Sequence, residues 1–212
     1  SFARKVSGQG AAVLLAGRDM DDPKAMAEAC RLRGARLAEA VRFDARDPAG
    51  FPALIARMEA EEGELNAAVF VGSMPAQAEI DTDPSMIDGV VQDSHTGPAR
   101  FLQMLAPLQE TRGGGTVVGV ASVAGDRGRI GNYVYGSAKA GFATYLSRLR
   151  NRLTRAGVHV VTVKPGFVDT AMTWGLPGMF LVAAPDKVAD DILNAVRKKR
   201  NVIYTPFFWR YI

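Results

Sequence analysis

The sequence predicts an α/β protein built on a doubly wound parallel sheet, with helices on both faces of that sheet. Three observations lead to this prediction. Short apolar runs typical of strands alternate with helical segments along the chain. The strand-like runs are almost continuously apolar, as expected for strands that are covered on both faces. The chain has 212 residues, of which 48% are hydrophobic, and a chain of this size forms one core. We therefore expect a single domain over residues 1–212.

Six segments are predicted to be strands because they are short, rich in apolar and β-branched residues, and bounded by turn residues. The residues before them, Ser1 to Gly10, have the pattern of the latter part of a helix that stops at glycine. In chain order the strands are Ala12–Ala16, Ala40–Phe43, Ala67–Val71, Thr116–Val120, Val158–Val163 and Val202–Tyr204.

Five helices are predicted between the strands. Several begin at proline or aspartate, which favour a helix start, and one stops at Gly157. In chain order they are Pro23–Arg33, Pro48–Glu61, Pro84–Thr111, Tyr133–Ala156 and Asp186–Lys199. No linker, repeat or low-complexity tract interrupts this pattern, so we expect one continuous α/β domain.

Composition excludes several classes of function. The net charge is only +4 and the basic residues are scattered, whereas nucleic-acid binding requires a concentrated basic patch. One cysteine, Cys30, and two histidines provide neither a disulfide framework nor a metal cluster. No apolar run approaches the roughly 20 residues that span a bilayer. We therefore expect a cytoplasmic protein without a bound metal or a nucleic-acid partner.

A serine, a tyrosine and a lysine form a candidate catalytic group near the end of a predicted strand. Ser122 follows the predicted strand Thr116–Val120, and Tyr135 and Lys139 are spaced i, i+4 on the next helix. This spacing places a phenol and an ammonium on one helical face, roughly 5–6 Å apart at Cβ. A nearby cation favours the phenolate, so we expect Lys139 to lower the pKa of Tyr135. A serine, a phenol and an ammonium grouped in this way are suited to transfer a proton to or from a carbonyl oxygen. The alternative is that Tyr135 and Lys139 are a chance pair on a surface helix.

On these residues the chain resembles the single-domain branch of the short-chain dehydrogenase/reductase family over essentially its whole length. That family combines a serine with Tyr-x-x-x-Lys, and Ser122 precedes Tyr135 at the usual interval. The resemblance implies that Tyr135 is the general acid or base, that Ser122 positions the carbonyl, and that Lys139 holds the nicotinamide ribose. It also implies a Rossmann-like fold whose first strand and glycine-rich phosphate loop we expect to lie upstream of Ser1.

A second match to the family follows the predicted strand Val158–Val163. Pro165 and Gly166 force a turn at the carboxyl end of that strand, where ligands bind in open α/β sheets. By resemblance this is the family pattern Pro-Gly-x-Val-x-Thr, in which Val168 and Thr170 contact the nicotinamide carboxamide. The alternative is an ordinary turn between a strand and a loop.

Cofactor selectivity is predicted from the residues after the first two strands. Relatives that select NAD carry an aspartate where this chain has Gly17, and the adjacent Arg18 suits a 2′-phosphate through bidentate hydrogen bonds. NADP is therefore favoured over NAD, the alternative being that Arg18 is a solvated loop residue. Asp44 resembles the family aspartate that contacts adenine, although a turn aspartate would have the same position.

The chain departs from the family pattern at two places. The family motif Asn-Asn-Ala-Gly aligns with residues 69–72, where only Gly72 is retained as a cofactor contact. The catalytic asparagine of the family aligns with Ser94, which offers fewer hydrogen bonds for the water that connects Lys139 to solvent. The neighbouring His95 is interpreted as an ordinary helix residue.

The segment Tyr204–Ile212 is unusually aromatic and contains Arg210. Aromatic and basic residues together suit a membrane interface, whereas packing on the domain or on a second subunit is the alternative. Together with Val134–Gly141 and Ala121–Arg127, the segment resembles the decaprenylphosphoryl 2-keto-erythro-pentose reductases, which reduce a sugar ketone on a polyprenyl phosphate. This subgroup implies a lipid-linked carbonyl substrate and peripheral contact with the inner face of the membrane.

The function predicted from these residues is an NADP(H)-dependent oxidoreductase, with NAD as an alternative cofactor, that interconverts a ketone and a secondary alcohol. A non-catalytic NAD(P)-sensing module is the alternative, because Ser94 and residues 69–71 depart from the family. A sugar epimerase or dehydratase would need an additional C-terminal substrate domain. The apolar stripes of the helices Pro84–Thr111 and Tyr133–Ala156 predict a homodimer or homotetramer.

Overall fold

The computed structural model describes residues 2–170, 173 and 180–212. The strands in this part of the chain are β1 Ala12–Gly17, β2 Leu37–Arg42, β3 Ala67–Val69, β4 Thr116–Val120, β5 His159–Pro165 and β6 Val202–Thr205. The α-helices are α1 Phe2–Ser7, α2 Asp21–Arg31, α3 Phe51–Glu59, α4 Gln77–Thr82, α5 Met86–Val91, α6 Gly97–Arg112, α7 Tyr133–Leu153 and α8 Pro185–Arg197. The helix expected over Ser1 to Gly10 is present as α1, and Ser1 itself lies outside the described residues.

The strands form two parallel sheets, one in each of two compact units. The unit Ser1–Gly63 contains β1 paired with β2, and the unit Glu64–Ile212 contains a four-stranded sheet in the order β3-β4-β5-β6. Parallel strands alternating with helices confirm the predicted α/β class. That residues 1–212 form one domain carrying both cofactor and catalytic residues stays a prediction.

Most element bounds agree with the sequence to within a few residues, but β3 is shorter than expected. It ends at Val69 rather than Val71, and the carbonyl of Val71 beyond it accepts a hydrogen bond from Lys139 Nζ at 2.7 Å. β2 begins three residues earlier than expected, at Leu37, which pairs with Ala12.

The predicted helix Pro84–Thr111 is interrupted by a π-helical turn at Gln92–Thr96, between α5 and α6. Proline has no N–H for the hydrogen bond to the carbonyl four residues earlier, and its ring clashes with that carbonyl. Pro98 lies in the first turn of α6, and the residue four positions before it is Ser94. The wider π turn therefore accommodates the proline at the position of Ser94.

Helix α7 packs against the four-stranded sheet through a continuous row of fully or almost fully buried residues, namely Phe142, Leu146, Leu149 and Leu153. Gly119 of β4 makes this close packing possible. A Cβ atom at Gly119 would lie 2.3 Å from Leu146 Cδ1, so any side chain there would push the helix away. The first residues of α7 are thereby held near the carboxyl ends of β3, β4 and β5.

Candidate active site

Two glycines bring the turn after β4 into backbone contact with α7. A Cβ atom at Gly125 would lie 2.7 Å from the backbone nitrogen of Ala140, and one at Gly136 would lie 2.6 Å from the carbonyl oxygen of Ala124. Both distances are shorter than real Cβ contacts allow, so only glycine fits at either position. The 3-10 turn Val123–Gly125, which starts at Ser122, is consequently fixed against the face of α7.

This contact brings Ser122, Tyr135 and Lys139 together. The Ser122 hydroxyl accepts a hydrogen bond from the Ala124 backbone N–H at 3.1 Å, and it is near enough to the Tyr135 phenol to affect the pKa of that group. Lys139 Nζ lies 5.8 Å from the centroid of the Tyr135 ring. All three side chains are buried, with 8%, 8% and 3% of Ser122, Tyr135 and Lys139 exposed.

The Lys139 ammonium is fixed by the ends of two neighbouring strands. It donates to the carbonyl oxygens of Val71 at 2.7 Å and Val120 at 2.9 Å, and its burial lowers its pKa to about 8. Buried cations are retained only when hydrogen bonds compensate their desolvation. A cation at the carboxyl edge of a parallel sheet lies where such folds bind ligands.

The expectation that Lys139 lowers the pKa of Tyr135 is wrong in this structure. Burial raises that pKa, and the nearby Ser122 hydroxyl lowers it only in part. The physical reason is that the Tyr135 ring lies in an apolar cluster with Ile80, Val90 and Val134, where the phenolate is poorly solvated. The phenol is therefore held in its protonated form, as a proton donor requires.

Ser94 lies beside Lys139, within the π-helical turn. Its side chain is fully buried, and its oxygen has only long contacts, 3.4 Å from the Ser73 N–H and 3.5 Å from the Ser73 carbonyl. A Cβ atom at Gly72 would lie 3.1 Å from Lys139 Nζ and 3.2 Å from Ser94 Oγ. The structure thus brings Ser94, Gly72 and Lys139 together, and π turns often occur at functional sites.

His95 follows Ser94 in the π-helical turn. Its ring packs over α7, where a Cβ atom at Gly141 would lie 2.8 Å from His95 Nδ1. Burial lowers the pKa of His95. This placement agrees with the interpretation of His95 as a helix residue.

The segment from Pro165 to Thr170 follows β5 at the same edge of the sheet. The Gly166 N–H donates to the Thr205 carbonyl at 3.2 Å, and Val168 forms an isolated bridge with Ala183. The Thr170 N–H donates to Thr173 Oγ1 at 3.2 Å. The loop is therefore held in place by β6 and by the residues that follow it, and its side of the sheet matches the sequence prediction.

Trp209 of the aromatic segment covers Gly166. The indole is 3% exposed, and a Cβ atom at Gly166 would lie 2.0 Å from Trp209 Cε2. Phe167 and Phe180 surround the same indole, with ring centroids at 5.7 Å and 5.3 Å. Trp209 thus packs on the unit Glu64–Ile212, whereas Phe207 remains 74% exposed.

A polar cluster connects the turn after Ser122 with the ends of β5 and β6. Asp126 forms an ion pair with Lys164 and accepts a hydrogen bond from the Tyr204 hydroxyl at 2.9 Å. Lys164 directly precedes Pro165. No sequence motif predicts this cluster, because residues 126, 164 and 204 are distant in sequence.

Gly17, Arg18 and Asp44 belong to the unit Ser1–Gly63. A Cβ atom at Gly17 would lie 2.8 Å from Pro23 Cγ, so an acidic side chain would not fit there without a shift. Arg18 is exposed, and Arg42 pairs with Gly17 across the two strands. The Asp44 carboxylate accepts a hydrogen bond from the Arg46 N–H at 2.9 Å, as a turn aspartate does.

Within residues 2–170, 173 and 180–212, no cluster of three or more His, Cys, Asp or Glu side chains could hold a metal ion. None of the helices in this part of the chain is long and apolar enough to cross a membrane.

Comparison with known proteins agrees with this geometry. Residues 1–178 match the sequence profile of the family described as short chain dehydrogenase. An uncharacterised oxidoreductase of Mycobacterium tuberculosis is 35% identical over 210 residues, covering 99% of this chain and 84% of the relative.

Two solved structures show the same fold. An alcohol dehydrogenase from Comamonas testosteroni, described as specific for bulky-bulky ketones, superposes with a TM-score of 0.84 at 20% identity, covering 97% of this chain and 80% of its own. A short-chain dehydrogenase from Sphingobium yanoikuyae in complex with NADPH gives a TM-score of 0.82 at 23% identity, covering 97% and 82%.

Proposed function

The chain belongs to the short-chain dehydrogenase/reductase family and is an oxidoreductase, and from this premise we propose that it reduces a ketone to a secondary alcohol, or catalyses the reverse reaction, with NADP(H). The observation that carries the proposal is the burial of Ser122, Tyr135 and Lys139 in one place, with Lys139 Nζ 5.8 Å from the centroid of the Tyr135 ring. A protonated phenol next to a second hydroxyl is suited to donate a proton to a carbonyl oxygen.

In this proposal Tyr135 is the general acid. Its raised pKa keeps the proton on the phenol until negative charge develops on the substrate oxygen. Ser122 orients that oxygen as a second donor, which stabilises the developing alkoxide. Lys139, whose pKa burial lowers to about 8, is held beside Tyr135 by two backbone carbonyls, where its ammonium can bind the nicotinamide ribose. Ser94 holds the polar surroundings of Lys139 in place of the family asparagine.

The residues present fit a nicotinamide cofactor. Lys139 is a buried ammonium at the carboxyl edge of the sheet, and Gly72 adjoins it. Pro165 and Gly166 lie at the end of β5 on the same edge, and with Gly72 they are the proposed backbone contacts of the cofactor. Lys139 and Tyr135 would hold the nicotinamide ribose, and Val168 and Thr170 the carboxamide. The cofactor itself supplies the hydride.

We propose NADP as the preferred cofactor, with Gly17, Arg18 and Asp44 as further contacts. A Cβ atom at Gly17 would lie 2.8 Å from Pro23 Cγ, so the aspartate that selects NAD would need a shift of Pro23. Arg18 and Arg42 are exposed guanidiniums at the ends of paired strands, and guanidinium is suited to bind a 2′-phosphate. A solved relative of the same fold binds NADPH.

We also propose a substrate class, a location and an oligomeric state. The subgroup resemblance and the exposed Phe207 support a lipid-linked sugar ketone and a cytoplasmic enzyme in peripheral contact with the inner membrane face. The exposed Ile87 of α5 and Met104 of α6 support a homodimer or homotetramer.

A panel of ketones, including sugar ketones and bulky ketones, tests the reaction with NADPH and NADH. We expect NADPH-dependent reduction of at least one ketone, and loss of roughly 10²–10⁴-fold in kcat in Tyr135→Phe, because general acid catalysis contributes that much. Tyr211→Phe is the control, because it changes a 75% exposed tyrosine and should keep full activity. Full activity of Tyr135→Phe would contradict the proposal.

A further inference from the structure

We propose that Gln77 and Asp81 of α4 are positioning residues that hold the first turn of α7, and with it Tyr135, in the catalytic geometry. The inference rests on the proposed role of Tyr135. It follows from the start of α7, which begins at Tyr133 without a hydrogen bond from the side chain of its N-cap residue, Asn132. The first N–H groups of a helix have no partner within the helix, and a buried start needs one from elsewhere.

Gln77 supplies that partner from another helix. Its Oε1 accepts the Val134 N–H at 3.2 Å, and its Nε2 donates to Asp81 Oδ1 at 3.0 Å. Gln77 is only 5% exposed, so its amide has little alternative in water. The two bonds fix the amide orientation, since the carboxylate requires the NH₂ group and the backbone N–H requires the oxygen.

Asp81 closes the arrangement by accepting a hydrogen bond from the Tyr133 hydroxyl. The hydrogen bonds from Tyr133 and then Gln77 lower the pKa of Asp81. The carboxylate therefore stays ionised at the start of α7, where negative charge complements the helix dipole. Tyr133 and Val134 directly precede Tyr135, so α4 binds the two residues before the proposed acid.

The apolar contacts point the same way. Ile80, between Gln77 and Asp81 on α4, is buried in the cluster that contains Tyr135 and Val134. One short helix thus contacts the ring environment of Tyr135 and the backbone before it. Loss of these contacts should let the first turn of α7 fray, and a misplacement of about 1 Å in a catalytic group can cost 10²-fold in rate.

The test uses matched variants of the full chain. Gln77→Met keeps the length of the side chain without its hydrogen bonds, and Asp81→Ala removes the acceptor. Tyr133→Phe removes the hydroxyl that binds Asp81. Tyr145→Phe is its control, because Tyr145 lies in the middle of the same helix, α7, and its hydroxyl donates a hydrogen bond to Gln103 of α6 instead. Asp81→Asn retains an oxygen that accepts both bonds.

We expect kcat for ketone reduction to fall about tenfold or more in Gln77→Met and Asp81→Ala, with KM changed less than about twofold, because orientation rather than binding is lost. Asp81→Asn should restore most of the activity, Tyr133→Phe should show an intermediate loss, and Tyr145→Phe should match the wild type. Equal losses in Asp81→Asn and Asp81→Ala, or a change in KM alone, would overturn the inference.

Amide hydrogen exchange provides a readout that does not depend on catalysis. In Gln77→Met the exchange of Val134 to Gly136 should accelerate more than that of the middle of α7, since local opening exposes the first turn. If the wild type reduces no ketone, the proposed function fails, and the exchange measurement still decides whether α4 holds the turn. Unchanged exchange in Gln77→Met would refute the inference even in an active enzyme.

Discussion

The proposed catalytic group and the proposed cofactor-selecting group differ in how the protein holds them. Ser122, Tyr135 and Lys139 are almost fully buried and are fixed by backbone contacts and hydrogen bonds from three elements. Arg18 is exposed at the end of a strand in the other unit, and the structure fixes only the glycine beside it. A buried group depends on every neighbour, whereas an exposed one acts through its charge alone. Substitutions in the two groups should therefore differ in the size of their effects and in the property that they change.

The largest expected effect is on stability and comes from the buried charge of Lys139. Below pH 8 the lysine is protonated whether the chain is folded or not. Between about 8, its pKa in the folded chain, and its ordinary value of 10.5, the unfolded chain retains a proton that the folded chain has lost. The free energy of unfolding should therefore rise with pH over this window, by at most about 3 kcal/mol.

Denaturant titrations of the wild type and Lys139→Met from pH 7 to 10 measure this effect as a difference, because tyrosines contribute equally to both. The difference should change in favour of the wild type as pH rises. A pH-independent difference would mean that Lys139 is not desolvated in the folded chain.

The next effect tests the backbone contact that holds Ser122. Gly125→Ala places a Cβ where the Ala140 backbone nitrogen lies 2.7 Å away, so the turn must move from α7. We expect kcat to fall about 10²-fold, as for other small misplacements of catalytic groups. Gly128→Ala is the matched control from the same loop, since nothing lies within 4 Å of its added Cβ. Similar activities for the two variants would argue against a tight fit.

A smaller effect is expected at the exposed group. Arg18→Ala should raise KM for NADPH about tenfold and leave KM for NADH nearly unchanged, since one charge-assisted hydrogen-bonding group is worth roughly 1.5–3 kcal/mol. Steady-state kinetics with both cofactors measure the ratio, and Arg46→Ala provides a neighbouring exposed arginine as the control. A parallel loss for both cofactors would show that Arg18 does not distinguish the 2′-phosphate.

The smallest effect is expected in the polar cluster between the two loops. Asp126→Asn removes the ion pair with Lys164 but keeps an acceptor for the Tyr204 hydroxyl. Because partly exposed ion pairs contribute about 0–1 kcal/mol, we expect a decrease in Tm of only a few degrees. A larger decrease, measured by thermal unfolding against Asp186→Asn, would mean that the cluster determines how the two loops pack.

The sequence predicted the parts of the molecule that follow local patterns. Strand and helix periodicity gave the α/β class, and the spacing of Tyr135 and Lys139 gave one shared helical face. The π-helical interruption near Ser94 also has a local cause, namely Pro98. The sequence predicts this interruption only when the effect of Pro98 on the carbonyl four residues earlier, that of Ser94, is taken into account. The aromatic segment Tyr204–Ile212, by contrast, does not form one exposed surface, because Trp209 is buried and Phe207 is exposed.

Contacts between distant segments could not be predicted in this way. Gly125 and Gly136 resemble any other glycines until the backbones of the turn and α7 are seen to touch. Gln77 lies in a short polar helix without apolar periodicity, and so α4 was not predicted at all. The pKa of Tyr135 was expected to fall because a cation was near in sequence, whereas the apolar cluster that raises it comes from other helices.

The packing of Trp209 on Gly166 has an optical consequence. An indole stacked on the backbone of the proposed nicotinamide loop would transfer its excitation to a reduced nicotinamide bound nearby, so its emission would be quenched on binding. The sequence contains two tryptophans, Trp174 and Trp209, and Trp174→Phe would leave Trp209 as the single fluorophore. With the nicotinamide bound at this loop as proposed, Trp209 would be an intrinsic reporter of occupancy in solution, without an added dye or a turnover assay.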